Sequence, residues 1–298
     1  MVIGNCLLVL SSTFLAAGCA QTAVPAGQVK SADIASLSDE FSDPKTLPNW
    51  LRIEKTEGWN NNQLESLGIN QGWMTMVPYT SAWYKDYRGI FLYKDVNGDF
   101  VVTTRISVSN RRQKNSPPNA QFSLAGIMVR APREIRSPQD WREGGENYTF
   151  LATGAADRAG TFQFEVKTTT NSDSQLKTSP APSGTSLLQV AKIGNAIILL
   201  RNEGNAWVIH QRYLRRDFPS TMQVGLTCYT DWPNVERVQP RVHNTTVIRS
   251  GQPDLVANFD YVHFQRPSVP ASLSGKSLAD PGSVSDSELL SFLGDHAK

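Results

Sequence analysis

Phe100-Val101-Val102-Thr103-Thr104-Arg105-Ile106-Ser107-Val108 decides the fold class of this chain. Successive side chains of a strand point to opposite faces, so Phe100, Val102, Ile106 and Val108 share one side while Thr103, Arg105 and Ser107 take the other. One face is built for a core and the other for a polar surface. The same split sets Phe162, Phe164 and Val166 against Gln163, Glu165 and Lys167. Further strand patterns run at Trp73 to Val77, Ile90 to Tyr93, Phe122 to Arg130, Tyr148 to Thr153, Ala196 to Arg201, Ala206 to Arg212, Met222 to Tyr229 and Val256 to Phe264. Turn signals at Asn97-Gly98, Asn195 and Gly204-Asn205 separate them, and no helical stripe of useful length appears. The expectation is an all-β chain, a two-sheet antiparallel β-sandwich of jelly-roll type.

The 298 residues carry 29 Lys and Arg against 27 Asp and Glu, a net charge of +2. The basic residues are scattered rather than gathered in a patch, which argues against a nucleic-acid partner. Of the three cysteines, Cys228 shares a strand face with Val224 and Leu226 and reads as a buried, inert thiol. Cys19 reads differently. Val2 to Ala17 contains no charge, is rich in Leu, Val and Ala, and ends in Leu15-Ala16-Ala17-Gly18-Cys19. A short apolar run ending in small residues is the form of a secretory signal. The ending resembles the bacterial lipobox, which implies a signal peptide over 1–18 and acylation of Cys19 with palmitate-type chains. Lipid would then tether the protein to a membrane of the bacterial cell envelope without spanning it, and Ala20 after the cysteine suggests the outer membrane. Residues 19–37 read as a flexible spacer, 38–266 as the sandwich, and 267–298 as a Pro/Ser-rich tail. Within the tail, Ser285 and Glu288 have capping-box spacing for one short amphipathic helix, expected to be a peripheral element or partner contact.

The order of segments is informative in itself. Leu37-Ser38-Asp39-Glu40-Phe41, Gly98-Asp99-Phe100, Leu124-Ala125-Gly126-Ile127-Met128-Val129-Arg130, Leu199-Leu200-Arg201, Val224-Gly225-Leu226 and the closing Phe259-Asp260-Tyr261-Val262-His263-Phe264 follow one another. This succession, covering roughly Ser38 to Gln265, resembles the concanavalin A-like lectin/glucanase domains, and among them the accessory modules of β-xylosidases. The resemblance implies a curved sandwich whose concave sheet is open to a carbohydrate.

Several residues then become candidates. Glucan hydrolases of this fold carry E-x-D-x-x-E on one strand, a run this chain lacks, and a retaining pair needs carboxyls about 5 Å apart. Glu143 and Glu146 are close in sequence, but the intervening Gly144-Gly145 suggests solvated loop charges. A polysaccharide lyase would draw on a Tyr or His base beside Arg groups, so Tyr148, His210 and Glu165 are the catalytic candidates. Arg105, Arg130, Glu165 and Lys167 stand on polar strand faces as ligand-binding candidates. Sugar rings stack on aromatic faces, and the pool includes Trp59, Trp73, Trp83, Tyr84, Tyr87, Trp141, Tyr148, Trp207, Tyr229 and Trp232. Trp83, Tyr84 and Trp232 fall in loop-like segments and are the candidates for binding. Asp95-Val96-Asn97-Gly98-Asp99 reads as a hairpin turn, its glycine misplaced for a calcium loop. Asp39 or Glu40 with Asp260 could instead hold a structural Ca²⁺ where the first and last strands meet. The leading reading is a tethered carbohydrate-binding lipoprotein. The alternatives are a glycoside hydrolase or polysaccharide lyase on the same face, or an envelope assembly protein docking through an edge or the C-terminal helix.

Overall fold

The computed structural model describes Met1 and residues 33–59, 61–204 and 206–294. The signal segment, Cys19 and most of the 19–37 spacer therefore lie outside the described residues. The strands are β1 (Leu51–Arg52), β2 (Leu64–Asn70), β3 (Trp73–Pro78), β4 (Ile90–Asn97), β5 (Phe100–Ser109), β6 (Ser123–Arg130), β7 (Tyr148–Ala155), β8 (Gln163–Thr170), β9 (Asp173–Pro180), β10 (Thr185–Ile193), β11 (Ala196–Glu203), β12 (Ala206–Leu214), β13 (Thr221–Tyr229) and β14 (Val256–Gln265). Among the described residues three short α-helices accompany them, α1 (Ile53–Thr56), α2 (Pro240–Thr245) and α3 (Asp286–Leu290), beside four 3-10 turns. They form two seven-stranded sheets, ordered β1-β4-β13-β6-β7-β8-β9 and β12-β11-β10-β5-β14-β3-β2.

The alternation of the sequence places the core. Phe100, Val102, Ile106 and Val108 of β5 pack between the sheets with Phe164 and Val166 of β8, and Phe162 packs against the same cluster. Cys228 joins it, fully buried, with its thiol against Met76 Sδ at 3.7 Å and its pKa raised by burial.

Three segments differ from the sequence expectation. Asn97-Gly98 is not a hairpin turn: β4 pairs with β13 and β1, whereas β5 pairs with β10 and β14. Gly98, at φ 78°, carries the chain from one sheet to the other, and its amide donates to Ser220 O at 2.8 Å. That positive φ favours glycine. The end of the spacer belongs to the folded body, because Ile34 is buried in the core and Leu37 packs against it. The tail is an internal cover. Leu273, Leu278, Val284, Leu289 and Leu293 pack on Val101, Ala191, Ile198 and Leu200, along the outward face of β5, β10 and β11. The capping box holds α3 there: Ser285 Oγ accepts from Glu288 N at 3.2 Å, and Ser285 N donates to Glu288 Oε2 at 2.8 Å. A strand such as Thr185–Ile193 is covered on both faces, so it lacks the alternation that marks a half-exposed one.

Candidate ligand pocket

The outward face of the first sheet is roofed by the chain between β3 and β4. Residues 80–82 are pinned to the end of β13: Ser81 and Thr230 exchange backbone hydrogen bonds at 3.1 Å, and Thr80 Oγ1 donates to Asp231 Oδ2 at 2.6 Å. On the far side, His243 Nε2 accepts from Ala82 N at 3.1 Å, and Asn244 accepts from Arg88 N and donates to Asp86 O, both at 2.8 Å. Trp83 is driven down onto the sheet. Its indole donates to Ile90 O at 3.0 Å, and its ring meets Tyr148 and Phe91 edge-on at 5.3 and 6.3 Å. Gly89 permits this, since a Cβ there would lie 2.8 Å from the Trp83 ring.

A pocket of about 200 Å³ remains beside this loop, lined by Ala82, Trp83, Tyr84, Phe122, Lys167, Leu176, Tyr229 and Trp232. Tyr84 and Trp232 are only partly buried and meet edge-on at 5.4 Å. Lys167 is 2% exposed. Its Nζ donates to Trp83 O at 2.7 Å and pairs with Glu165 Oε1 at 2.8 Å, with the rings of Phe150, Tyr229 and Tyr84 at 4.9, 5.3 and 5.5 Å. Burial lowers the Lys167 pKa, while the Glu165 charge opposes that shift. Tyr229 donates its hydroxyl to Glu165 Oε1 at 3.3 Å, and burial beside Glu165 raises the phenol well above its usual range. Glu165 Oε2 is buried with no hydrogen-bond partner.

Of the sequence candidates, Glu165, Lys167, Trp83, Tyr84 and Trp232 thus come together. Tyr148 lies under Trp83, fully buried, its phenol pKa raised by burial. Phe122 and Leu176 complete the lining without having been singled out in the sequence. Leu176 stands opposite Lys167 in the β8–β9 ladder, so recognition of the polar strand β9 would have located it.

The other candidates lie elsewhere. Arg130 shares this face but is fully buried in an ionic network: its guanidinium binds Glu146 at 2.8 and 3.2 Å, Glu57 at 2.8 Å and Gln223 at 2.7 Å. Arg133 also reaches Glu146, at 2.6 Å, and Arg88 pairs with Glu57. Glu146 is therefore not the solvated loop charge its neighbouring glycines suggest. Burial alone would raise its pKa, but the guanidiniums of Arg130, Arg88 and Arg133 hold it down at about 2. Arg105 stands on the second sheet, half exposed, paired with Asp260 at 3.2 Å. His210, on β12, packs against Phe164 at 5.8 Å and contacts Arg201. Since Phe164 faces the core, His210 is not on the Glu165 face. Asp39, Glu40 and Asp260 do not converge. Asp39 accepts from Phe41 N, Trp50 Nε1 and Thr46 Oγ1 at 2.9, 2.9 and 3.1 Å, while Glu40 pairs with His263 at 2.6 Å. Among the described residues no group of three or more His, Cys, Asp or Glu could hold a metal ion. These donors do not fit a Ca²⁺ site.

His243 gives the roof a pH dependence. Burial lowers its pKa from 6.5 to about 4, and His210 is lowered to about 4 by burial and Arg201. A folded pKa below the unfolded one means that the unfolded chain binds more protons between those values. The contribution is intact above pH 6.5 and lost as pH falls toward 4, by roughly 3 kcal/mol per histidine. Stability measured by urea unfolding across that range should fall, and His243→Gln should flatten about half of the slope.

No protein-family model and no curated protein matches the sequence. Solved structures do. A functionally unknown protein from Saccharomyces cerevisiae superposes with a TM-score of 0.51 at 14% identity, covering 74% of this chain and 98% of its own. A GH43 protein from Bacillus licheniformis superposes with a TM-score of 0.50 at 13% identity, covering 80% of this chain and 40% of its own. With two antiparallel seven-stranded sheets packed face to face, the assignment follows. Both share this chain's fold, a two-sheet antiparallel β-sandwich of jelly-roll type. In this sandwich the 80–88 loop roofs one sheet and the tail covers part of the other. The expected open sheet persists in part on the second sheet, where Trp73, Arg105, Ser107, Thr185 and Asn258 line an open depression of about 310 Å³, while the first sheet carries the walled pocket.

Proposed function

We propose that the chain is a carbohydrate-binding domain whose sugar site is the pocket between Tyr84, Trp232 and Lys167. The observation that carries this reading is a pair of partly exposed aromatic rings at the pocket beside a buried, hydrogen-bonding ion pair. Apolar walls with a few placed polar groups are the usual makeup of a small-molecule site. Aromatic rings accept the C–H face of a pyranose, and the lysine supplies a donor for its oxygens. Binding is favoured over hydrolysis because glycoside cleavage uses two carboxyl groups across the scissile bond. Among the described residues no Asp or Glu lines the pocket, and Glu165 behind it is held by Lys167 and Tyr229. Acylation of Cys19 would place this site at a membrane surface of the bacterial envelope.

Calorimetric titration of the purified protein against a glycan panel tests the reading, with released reducing and unsaturated ends assayed in parallel. Binding without product is expected, and Trp232→Ala should weaken it about tenfold. Its circular dichroism should stay unchanged, because Trp232 is only partly buried. Steady release of new ends would favour an enzyme instead.

A further inference from the structure

We infer that the pocket recognises an acetyl group carried on a sugar, as an amide or an ester, with the methyl among its aromatic walls and the carbonyl oxygen on Lys167. This rests on the carbohydrate-binding reading and adds the class of ligand.

The walls divide into a floor and a rim. Ala82, Trp83, Lys167 and Tyr229 are each at most 2% exposed and form the floor. Tyr84, Phe122 and Trp232 are partly buried and Leu176 is exposed, so these form the rim. The floor is apolar with one donor to spare. The Trp83 indole is spent on Ile90 O and the Tyr229 hydroxyl on Glu165. An ammonium has three N–H donors, and Lys167 uses two, on Trp83 O and Glu165 Oε1. Its Nζ lies 5.3 and 5.5 Å from the ring centres of Tyr229 and Tyr84, both pocket walls, and the third donor belongs to that space. Acceptors are scarce. Among the described residues no carboxylate, amide or imidazole side chain lines the pocket, and the Trp83 and Tyr84 carbonyls are engaged by Lys167 Nζ and Tyr87 N at 2.7 and 2.8 Å.

That inventory selects the ligand. A hydroxyl entering the floor brings an O–H that needs an acceptor, and a buried donor left unpaired costs affinity. An acetyl carbonyl accepts and donates nothing, and its methyl is apolar, so it matches a single N–H set among aromatic and aliphatic walls. The sugar hydroxyls then stay at the rim, within reach of water, while the ring stacks on Tyr84 or Trp232. A carboxylate in place of the acetyl group would compete with Glu165 for the same buried ammonium, which a neutral carbonyl does not.

The test uses the full chain and calorimetry with methyl glycosides in matched sets: the N-acetylated sugar, its O-acetylated counterpart, the N-formyl derivative, the free amine and the parent hydroxyl compound. At least one acetylated glycoside should bind about tenfold more tightly than its parent and its amine. Comparison of the N- and O-acetyl arms tells amide from ester. The N-formyl derivative, lacking the methyl, should bind about fourfold more weakly than the N-acetyl one. In the bound state the acetyl methyl proton signal should move upfield, shielded by the surrounding rings. A parent sugar that binds as tightly as its acetylated form, or an acetyl methyl signal unmoved in the complex, would overturn the inference and leave the carbohydrate-binding reading standing. No binding by any glycoside, acetylated or not, would remove both.

Discussion

Arg130→Met should destabilise the protein by about 3–5 kcal/mol, the range found when one member of a buried ion network is removed. Arg130 is fully buried, and its guanidinium joins Glu57 and α1 to Glu146 of the loop before β7 and to Gln223 of β13. Methionine fills much of the volume but leaves Glu146 to Arg133 and Glu57 to Arg88, and strips the Gln223 carbonyl of its donor. Urea unfolding at neutral pH reads the loss. The acid limb gives a second check. The Glu146 pKa is depressed from 4.5 to about 2 in the folded protein, so its stabilisation is present above pH 4.5 and disappears as pH falls toward 2. Without Arg130 the folded pKa rises, that acid dependence shrinks, and the variant should begin near pH 5 from an already lower stability. A loss below about 1 kcal/mol would show that the network contributes little beyond what the remaining arginines supply.

Trp83→Ala should cost about 3–5 kcal/mol and abolish the pocket together. The ring lies fully buried among Phe91, Tyr148 and the rest of the apolar cluster on the outward face of the first sheet. Its removal opens a large cavity, and leaves Ile90 O with one donor fewer, although Thr227 Oγ1 still donates to it at 2.8 Å. The same residue fixes the roof. Trp83 O accepts from Lys167, and Trp83 itself is a pocket wall, so sugar binding should be lost even at temperatures where the variant is folded. Trp232→Ala separates the two effects, since it touches the pocket without entering that cluster. If Trp83→Ala kept wild-type affinity, the roof would not be what shapes the site.

The fold was legible because most strands have one face against the core and so keep a period of two. Phe100 to Val108, Phe162 to Val166 and Met222 to Tyr229 show it directly. The strand β10, covered on both sides, and the polar edge strand β9 carry no such signal. The candidate site was legible in part for the same reason: Glu165 and Lys167 stand opposite Phe164 and Val166, and Trp83, Tyr84 and Trp232 interrupt loop-like segments. What alternation could not show is what lies over each outward face. Nothing local in Glu146 says that it will be enclosed by three arginines, or in Leu289 that it will pack on Ile198. Those contacts join segments far apart in the chain, and only the tertiary structure brings them together.

On the proposed reading a carbohydrate binds in this pocket, roofed by the 80–88 loop. The indole N–H signals of the seven tryptophans, assigned by substitution and followed by NMR during titration with a bound glycan, test it most directly. Trp232 and Trp83 should shift while Trp73, on the second sheet, stays fixed. A shift at Trp73 with Trp232 and Trp83 unmoved would contradict it.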